Sequence, residues 1–313
     1  MQRDDVSVVS FPKAHRAQQT LSRPAEVCGK SLFHGYDAVV RLLPADEDIG
    51  IVFRRSDLSD APDIPAAWQY LAQEPRRTVL QRDRETRVET VEHLMAALTA
   101  MEVDNCVVDV NAPELPALDG SSLGFCDAVL NAGLTRQSAE AIPLIIDRLH
   151  VIQSPDRRQS LVARPYVFRR AAITYHLDYG RRAVIPPQSL SVEVTPEYFY
   201  QHLAAARTFV LESEIAALKK LGYGRHLTAK DIVVIAGDGA TSTPLRWADE
   251  GVRHKILDCL GDLALCGRPF AGHVTSCRSG HHLNHELAKS FADVADHRNA
   301  GDAFVATTGE ING

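Results

Sequence analysis

No C-x-x-C pair occurs among the six cysteines, Cys28, Cys106, Cys126, Cys259, Cys266 and Cys277. Thiols scattered in this way through 313 residues argue against a disulfide framework and a cysteine zinc cluster, and for a reducing compartment. Long apolar runs are missing as well; none approaches the roughly 20 residues of a membrane helix. Met1 to Thr20 is polar and broken by charges, unlike a secretory signal. There is no basic excess: 34 Lys and Arg stand against 40 Asp and Glu, a net charge of −6, well mixed along the chain. That balance argues against a nucleic-acid partner. Nor is there a G-x-G-x-x-G after a strand or a phosphate-binding P-loop. What is present, 45% hydrophobic and 24% charged residues, is the composition of a soluble protein with core enough for about two domains. A cytoplasmic, monomeric protein without a transmembrane segment is expected.

Along the chain, strands are expected at Asp37 to Leu43, Gly50 to Arg54 and Cys106 to Asn111, with helices at Thr90 to Ala100 and Ser121 to Asn131. The stretch Ala132 to Pro143 reads as a connector. The second half opens with strands at Leu144 to Ile152, Ser160 to Ala163, Ala171 to Leu177 and Ser191 to Val194. Helices follow near Glu212 to Leu221, Gly251 to Cys266 and His281 to Val294, with β-branched runs at Asp231 to Ala236 and Phe270 to Ser276. Runs of strands and then helices favour an α+β class over a doubly wound sheet. The boundaries are a polar arm over 1–22, a first domain over 23–135, a linker over 136–143, a second domain over 144–294 and a loose tail over 295–313. Ile51 to Arg55 is echoed by Tyr166 to Arg170, which suggests a duplication.

Four segments carry chemistry. In Arg253 to Asp262, the residues His254, Asp258 and Asp262 are spaced by four and stack on one helix face. An imidazole and a carboxylate one turn apart can reach one divalent metal, with Asp262 placed to orient another group. Alone, the spacing equally describes a surface helix with an ion pair. In Thr90 to Leu98, Val91, Leu94, Met95 and Leu98 form a packing stripe that leaves Glu92 and His93 off it. A metal-binding histidine beside a glutamate suits a bound water and its base, although a satisfied histidine at a helix end gives the same pattern. In Ser279 to His285, His281 and His285 have the spacing of a second metal pair. Gly280 instead suggests a helix start from which His281 projects as an acid, with His282 and His285 solvent-facing or structural. Arg207-Thr208-Phe209 sets a hydroxyl between a cation and an aromatic.

Jointly these segments resemble the UDP-3-O-acyl-N-acetylglucosamine deacetylases, which carry out the committed step of lipid A synthesis in Gram-negative bacteria. The resemblance runs from about Arg23 to Val294 and includes Gly50 to Arg55, Thr90 to Leu94, Val110 to Pro116, Leu118 to Ser121, Ala206 to Phe209, Arg253 to Lys255, Gly261 to Leu263 and Ser279 to His281. It implies two similar α+β domains, each a sheet with packed helices in a two-layer sandwich, and an active site between them. By the same resemblance His93, His254 and Asp258 would hold zinc, Glu92 would be the general base, and His281, oriented by Asp262, would protonate the leaving amine. Lys255 and Thr208 would steady the oxyanion, while Phe209, Glu214, Leu32 and Phe33 would contact substrate. The implied reaction removes the N-acetyl group of UDP-3-O-(3-hydroxyacyl)-N-acetylglucosamine. A paralogous amidohydrolase for another acylated amino sugar and a non-catalytic ligand-binding relative are the alternatives. Two stretches depart from the family pattern. A G-x-G-L-H-x-G turn reads Gly29-Lys30-Ser31-Leu32-Phe33-His34-Gly35, and a glycine-rich L-G-G-S stretch is replaced by Arg225 to Ala229. Phe33 is expected to line an acyl groove; the other possibility is that it fills it.

Overall fold

In the strand Asp37–Pro44 the side chains of Ala38, Val40 and Leu42 turn inward while their neighbours face outward, as the two-residue period of a strand requires. This strand is described by a computed structural model that covers residues 16–292, apart from 169, 182, 229 and 230. It pairs antiparallel with Ala25–Lys30 and with Cys106–Val110. Ile51–Arg55 lies parallel to Cys106–Val110, and Ile64–Pro65 closes the edge. A parallel pair needs a crossover. Here the crossover carries a small meander (Leu71–Ala72, Val79–Gln81, Arg87–Glu89) and helix α1, Glu92–Ala100. Helix α2, Leu123–Ala132, follows.

The second sheet runs His150–Gln153, Ser160–Arg164, Phe270–Cys277, Ala171–Leu177, Gln188–Glu193, with Leu144–Ile145 joined parallel to Phe270–Cys277. It repeats the device of the first. Ala171–Leu177 and Phe270–Cys277 are parallel, and the crossover between them holds α3 (Pro196–His202), α4 (Glu212–Lys220) and α5 (Glu250–Leu263). Helical backbone over 281–292, α6, comes last. The fold is therefore α+β, with two sheets each covered by helices. Helix α5 lies on its own sheet, α2 lies on the first sheet and on α1, and α1 packs directly on α5. The helix layers meet between the sheets, and one apolar core runs through both halves. Among the described residues no helix is long and apolar enough to cross a membrane.

That meeting buries α1 on all sides; Thr99 is its one residue outside the buried class. Close approach to α5 depends on Gly261, where a Cβ would stand 2.0 Å from the Glu92 carbonyl oxygen. The entry to α1 is strained: Thr90 has φ of 59°, a conformation β-branched residues seldom adopt. Its hydroxyl donates to Glu114 Oε1 at 3.3 Å, and the next amide, Val91, donates to the Thr78 carbonyl at 3.3 Å. The turn into α1 is thus held at both ends, which fixes where Glu92 and His93 begin.

Several expectations are corrected. Residues 16–21 of the supposed arm form a strand, Arg16–Leu21, and the supposed connector is its antiparallel partner, Leu134–Ala141. Both are mostly polar because a two-stranded ribbon has little core to face. Leu144 to Ile152 is two strands, Leu144–Ile145 and His150–Gln153, rather than one. The echo of Ile51–Arg55 is not structural, since Tyr166, Val167 and Phe168 lie outside any strand between Ser160–Arg164 and Ala171–Leu177. The remainder of the arm, residues 1–15, and the tail, 295–313, fall outside the described residues.

Candidate active site

Helix α5 presents His254 and Asp258 one turn apart, and α1 brings His93 against them from the other half. The Asp258 Oδ1 atom lies 3.3 Å from His254 Nε2 and 3.5 Å from His93 Nε2. The two imidazoles stand nearly perpendicular, at 84°, with centroids 5.0 Å apart. These spacings are long for hydrogen bonds, but atoms bound at ~2.1 Å around a tetrahedral zinc-sized cation are ~3.4 Å from one another. Two further observations fit a cation. Asp258 Oδ1 is buried with no hydrogen-bond partner, while Oδ2 accepts from Lys255 Nζ at 2.7 Å. His254 Nδ1 donates to the Ala206 carbonyl at 3.0 Å, which leaves the Nε2 lone pair directed at the site. His93, His254 and Asp258 can together hold a metal ion.

The charges fit as well. Burial, with His93 and Lys255 nearby, pushes His254 down to about 4 despite Asp258, so it is neutral and a competent ligand near pH 7. Burial works to lower His93 too, but the neighbouring carboxylates of Asp258 and Glu92 outweigh it and raise the group. A cation between the three would reverse that balance. For Asp258 burial acts upward, yet His254 and Lys255 hold it well below its ordinary value.

Across from this set stand Glu92 and His281. Glu92 Oε2 accepts from the Thr78 amide at 3.0 Å, and Oε1 lies 4.0 Å from His281 Nε2. Burial raises Glu92 in spite of the neighbouring imidazoles. His281 donates from Nδ1 to Asp262 Oδ2 at 2.8 Å. Burial would lower His281, but the Asp262 charge and hydrogen bond prevail and raise it to about 9. A carboxylate poised to accept a proton therefore faces an imidazolium poised to give one.

Thr208, Phe209, Glu214, Lys255 and His281 line one cleft of about 530 Å³ that also reaches His254 and Asp258. Thr208 is placed by two contacts: its amide donates to the Gly120 carbonyl at 2.7 Å, and the preceding Arg207 forms a buried bidentate pair with Glu250 in the first turn of α5. Gly120, at φ 82°, lets the chain pass, since a Cβ there would meet the Asp231 carbonyl at 2.9 Å. Glu214 sits at the rim, where both its oxygens accept from the Arg76 guanidinium.

Leu32 and Phe33 are not among the cleft residues. They pack with Ala117, Tyr223 and Leu227 in a separate cluster, where Phe33 meets Tyr223 edge-on at 5.3 Å and lies under the Arg77 guanidinium. The two stretches that depart from the family pattern are brought into contact there: Gly224 donates to the Phe33 carbonyl, and His226 Nε2 lies 2.7 Å from the Ser31 carbonyl oxygen. His285, four residues from His281, is buried beside Thr78 and Asp262, and the ligand atoms of Asp262, His281 and His285 also lie close enough together to hold an ion. Sequence reasoning missed Thr78, Arg76 and Tyr179, each a single residue with no periodic partner to betray it. Apolar volume lies elsewhere, in a cavity of about 170 Å³ bounded by Val184, Ile185, Val233 and Ile235, which shares Phe209 with the cleft. On another side the cleft shares Gln159, Tyr179 and Ser279 with an open cavity edged by Arg158 and Arg278.

Comparison with known proteins agrees with this geometry. The pattern of the UDP-3-O-acyl N-acetylglycosamine deacetylase family matches residues 18–293. A UDP-3-O-acyl-N-acetylglucosamine deacetylase of Myxococcus xanthus (strain DK1622) is 37% identical over 273 residues, covering 87% of this chain and 85% of its own. Proteins of the same name from Brucella melitensis biotype 2 (strain ATCC 23457) and Brucella abortus (strain S19) are 36% identical over 275 residues, covering 87% of this chain and 94% of theirs. A match this long, spanning both halves and every residue of the cleft, means that the chain belongs to the UDP-3-O-acyl N-acetylglycosamine deacetylase family.

Proposed function

We propose that the chain hydrolyses the N-acetyl group of UDP-3-O-(3-hydroxyacyl)-N-acetylglucosamine to a free amine and acetate, as a zinc-dependent cytoplasmic enzyme of lipid A synthesis. The observation that carries this reading is the buried, unpartnered Asp258 Oδ1 between two imidazole nitrogens, with Glu92 and His281 beside it. Zinc held by His93, His254 and Asp258 supplies Lewis-acid polarisation of the amide carbonyl and of water. The protein's own groups do the rest. Glu92 takes a proton from the attacking water as its oxygen bonds to the acetyl carbon. His281, kept cationic by Asp262, delivers a proton to the nitrogen as the C–N bond breaks. Lys255 and Thr208, at the cleft wall, face the oxygen on which charge develops, where preorganised donors contribute most.

The surroundings suit the rest of such a substrate. The apolar cavity reached past Phe209 matches an acyl chain, and Tyr179 offers an aromatic face to a nucleoside, beside Arg158 and Arg278, whose present partners are Asp156 and Asp178. Glu214 and Arg76, which line the cleft itself, are the contacts proposed for the sugar. The division into two domains then falls near residue 142, with one wall of the site from each. The test is detection by mass of acetate and free amine released from the UDP-linked acyl sugar, alongside metal content. The zinc-loaded protein should release both, and His254→Ala should lose metal and activity together. A folded, metal-loaded protein that releases no acetate would shift the assignment to a different acylated amino sugar.

A further inference from the structure

Thr78 ends the loop before the strand Val79–Gln81 and is wholly buried. It is not among the residues that line the cleft, yet each of its polar atoms is committed to the groups that do the chemistry. Its amide donates to Glu92 Oε2 at 3.0 Å, and its carbonyl accepts from Val91, the residue before Glu92, at 3.3 Å. Its hydroxyl is 2.5 Å from Asp262 Oδ1, 3.0 Å from His285 Nε2 and, more distantly, 3.4 Å from His281 Nδ1, whose proton is directed at Asp262. A threonine hydroxyl has one proton to give. Asp262 is held well below its usual range, stays ionised and accepts that hydrogen bond, so His285 must donate from Nε2. The other oxygen, Asp262 Oδ2, accepts from His281 Nδ1 and from Asn284 Nδ2, both at 2.8 Å.

We propose that Thr78 is a positioning residue that sets the general base and the general acid in one register, fixing Glu92 through its backbone amide and His281 through Asp262. The inference rests on the assignment of Glu92 and His281 given above. Its physical basis is that the base comes from α1, the carboxylate from α5 and the acid from α6. Nothing in the covalent chain ties these three helices at the required distance. A single rigid residue bonded to α1 and α5 supplies that tie. Without the hydroxyl, the Asp262 carboxylate loses the bond that stops it turning about its own axis, and the imidazole it carries turns with it. Misplacement of a reacting group by about 1 Å costs on the order of a hundredfold in rate, while substrate binding elsewhere in the cleft is untouched.

Thr78→Val keeps the shape and the amide and removes the hydroxyl; Thr78→Ser restores it. With metal content and melting temperature recorded for each, Thr78→Val should lower kcat by roughly 10- to 100-fold with KM within about twofold of the parent, and Thr78→Ser should recover most of the loss. On an Asp262→Asn background Thr78→Val should cost little more, because both changes break the same link. If Thr78→Val does not fold, Thr78→Ala is read in the same way. A kcat within about twofold of the parent for the hydroxyl-free variant would overturn the proposal. So would a serine variant as slow as the valine one, or a full independent loss on the Asp262→Asn background. Glu92→Gln and His281→Ala run beside these separate the two levels. If they keep full activity, the acid and base assignment falls and this inference with it. If they lose activity and Thr78→Val does not, this inference alone falls.

Discussion

Glu92 and Asp258 are carboxylates on facing helices with opposite tasks, and their surroundings drive them apart. Asp258 is held low by His254 and Lys255 against its burial, which suits the ligand role proposed for it, whereas burial raises Glu92, which suits the proposed base. The pH dependence follows with definite signs. On the roles proposed above, activity requires Glu92 deprotonated, so the acid limb of kcat/KM rises as pH increases through its raised value. The same roles require His281 protonated, so the alkaline limb falls as pH passes through the value that Asp262 raises. Glu92→Gln should keep its metal and lose on the order of 10²- to 10⁴-fold in rate. Asp262→Asn should move the alkaline limb toward lower pH, since the carboxylate is what raises His281. An alkaline limb unchanged in His281→Ala would take the acid role away from that residue. The pairing of His254 with Asp258 was legible in a spacing of four, because a helix face repeats at that interval. The roles of Thr78 and Arg76 were not, because they exist only where separate segments meet.

Between elements, the decisive contact is the crossing of α1 and α5. Gly261 has room for no side chain, its absent Cβ falling 2.0 Å from the Glu92 carbonyl. Gly261→Ala must therefore push the helices apart at the point where His93 meets Asp258. It is expected to destabilise the fold by about 1–3 kcal/mol, as overpacking does, and to lower metal stoichiometry because His93 moves with α1. Thermal melts and elemental analysis read the two effects. Full metal content in a folded Gly261→Ala protein would show that the crossing does not set the ligand distance. Both helices were visible in the sequence through their apolar stripes and flanking turns. The strand Leu134–Ala141 was not visible, because its mostly polar residues face a single partner strand and show no apolar alternation.

At the scale of the whole molecule, the proposed function maps the substrate's parts onto separate regions around one cleft. The acyl chain is assigned to the apolar cavity past Phe209 rather than to Phe33, which packs edge-on to Tyr223 and away from the cleft. Each buried CH₂ contributes about 0.8 kcal/mol, so about four of them raise kcat/KM by roughly a hundredfold over UDP-N-acetylglucosamine without the chain. Phe33→Ala should lower the melting temperature and leave that ratio unchanged, which kcat/KM for the two substrates and a thermal melt determine. A ratio near unity for the parent protein would mean that the cavity takes no chain, and a ratio altered by Phe33→Ala would return that residue to the substrate.

The sequence by itself determined the class of fold and the helices on which His93, His254 and Asp258 lie, since periodicity and local spacing are properties of a single segment. It also carried the resemblance that named the reaction. Only the tertiary structure decided that His93 meets His254 and Asp258 around one point, that Thr78 bonds both Glu92 and Asp262, and that Phe33 lies with Tyr223 outside the cleft. Those are distances between residues far apart in the chain, set by how α1 and α5 cross at Gly261 and by how the loop at 31–36 meets 223–227. No local pattern encodes them, because packing of the whole core is what selects one approach from many.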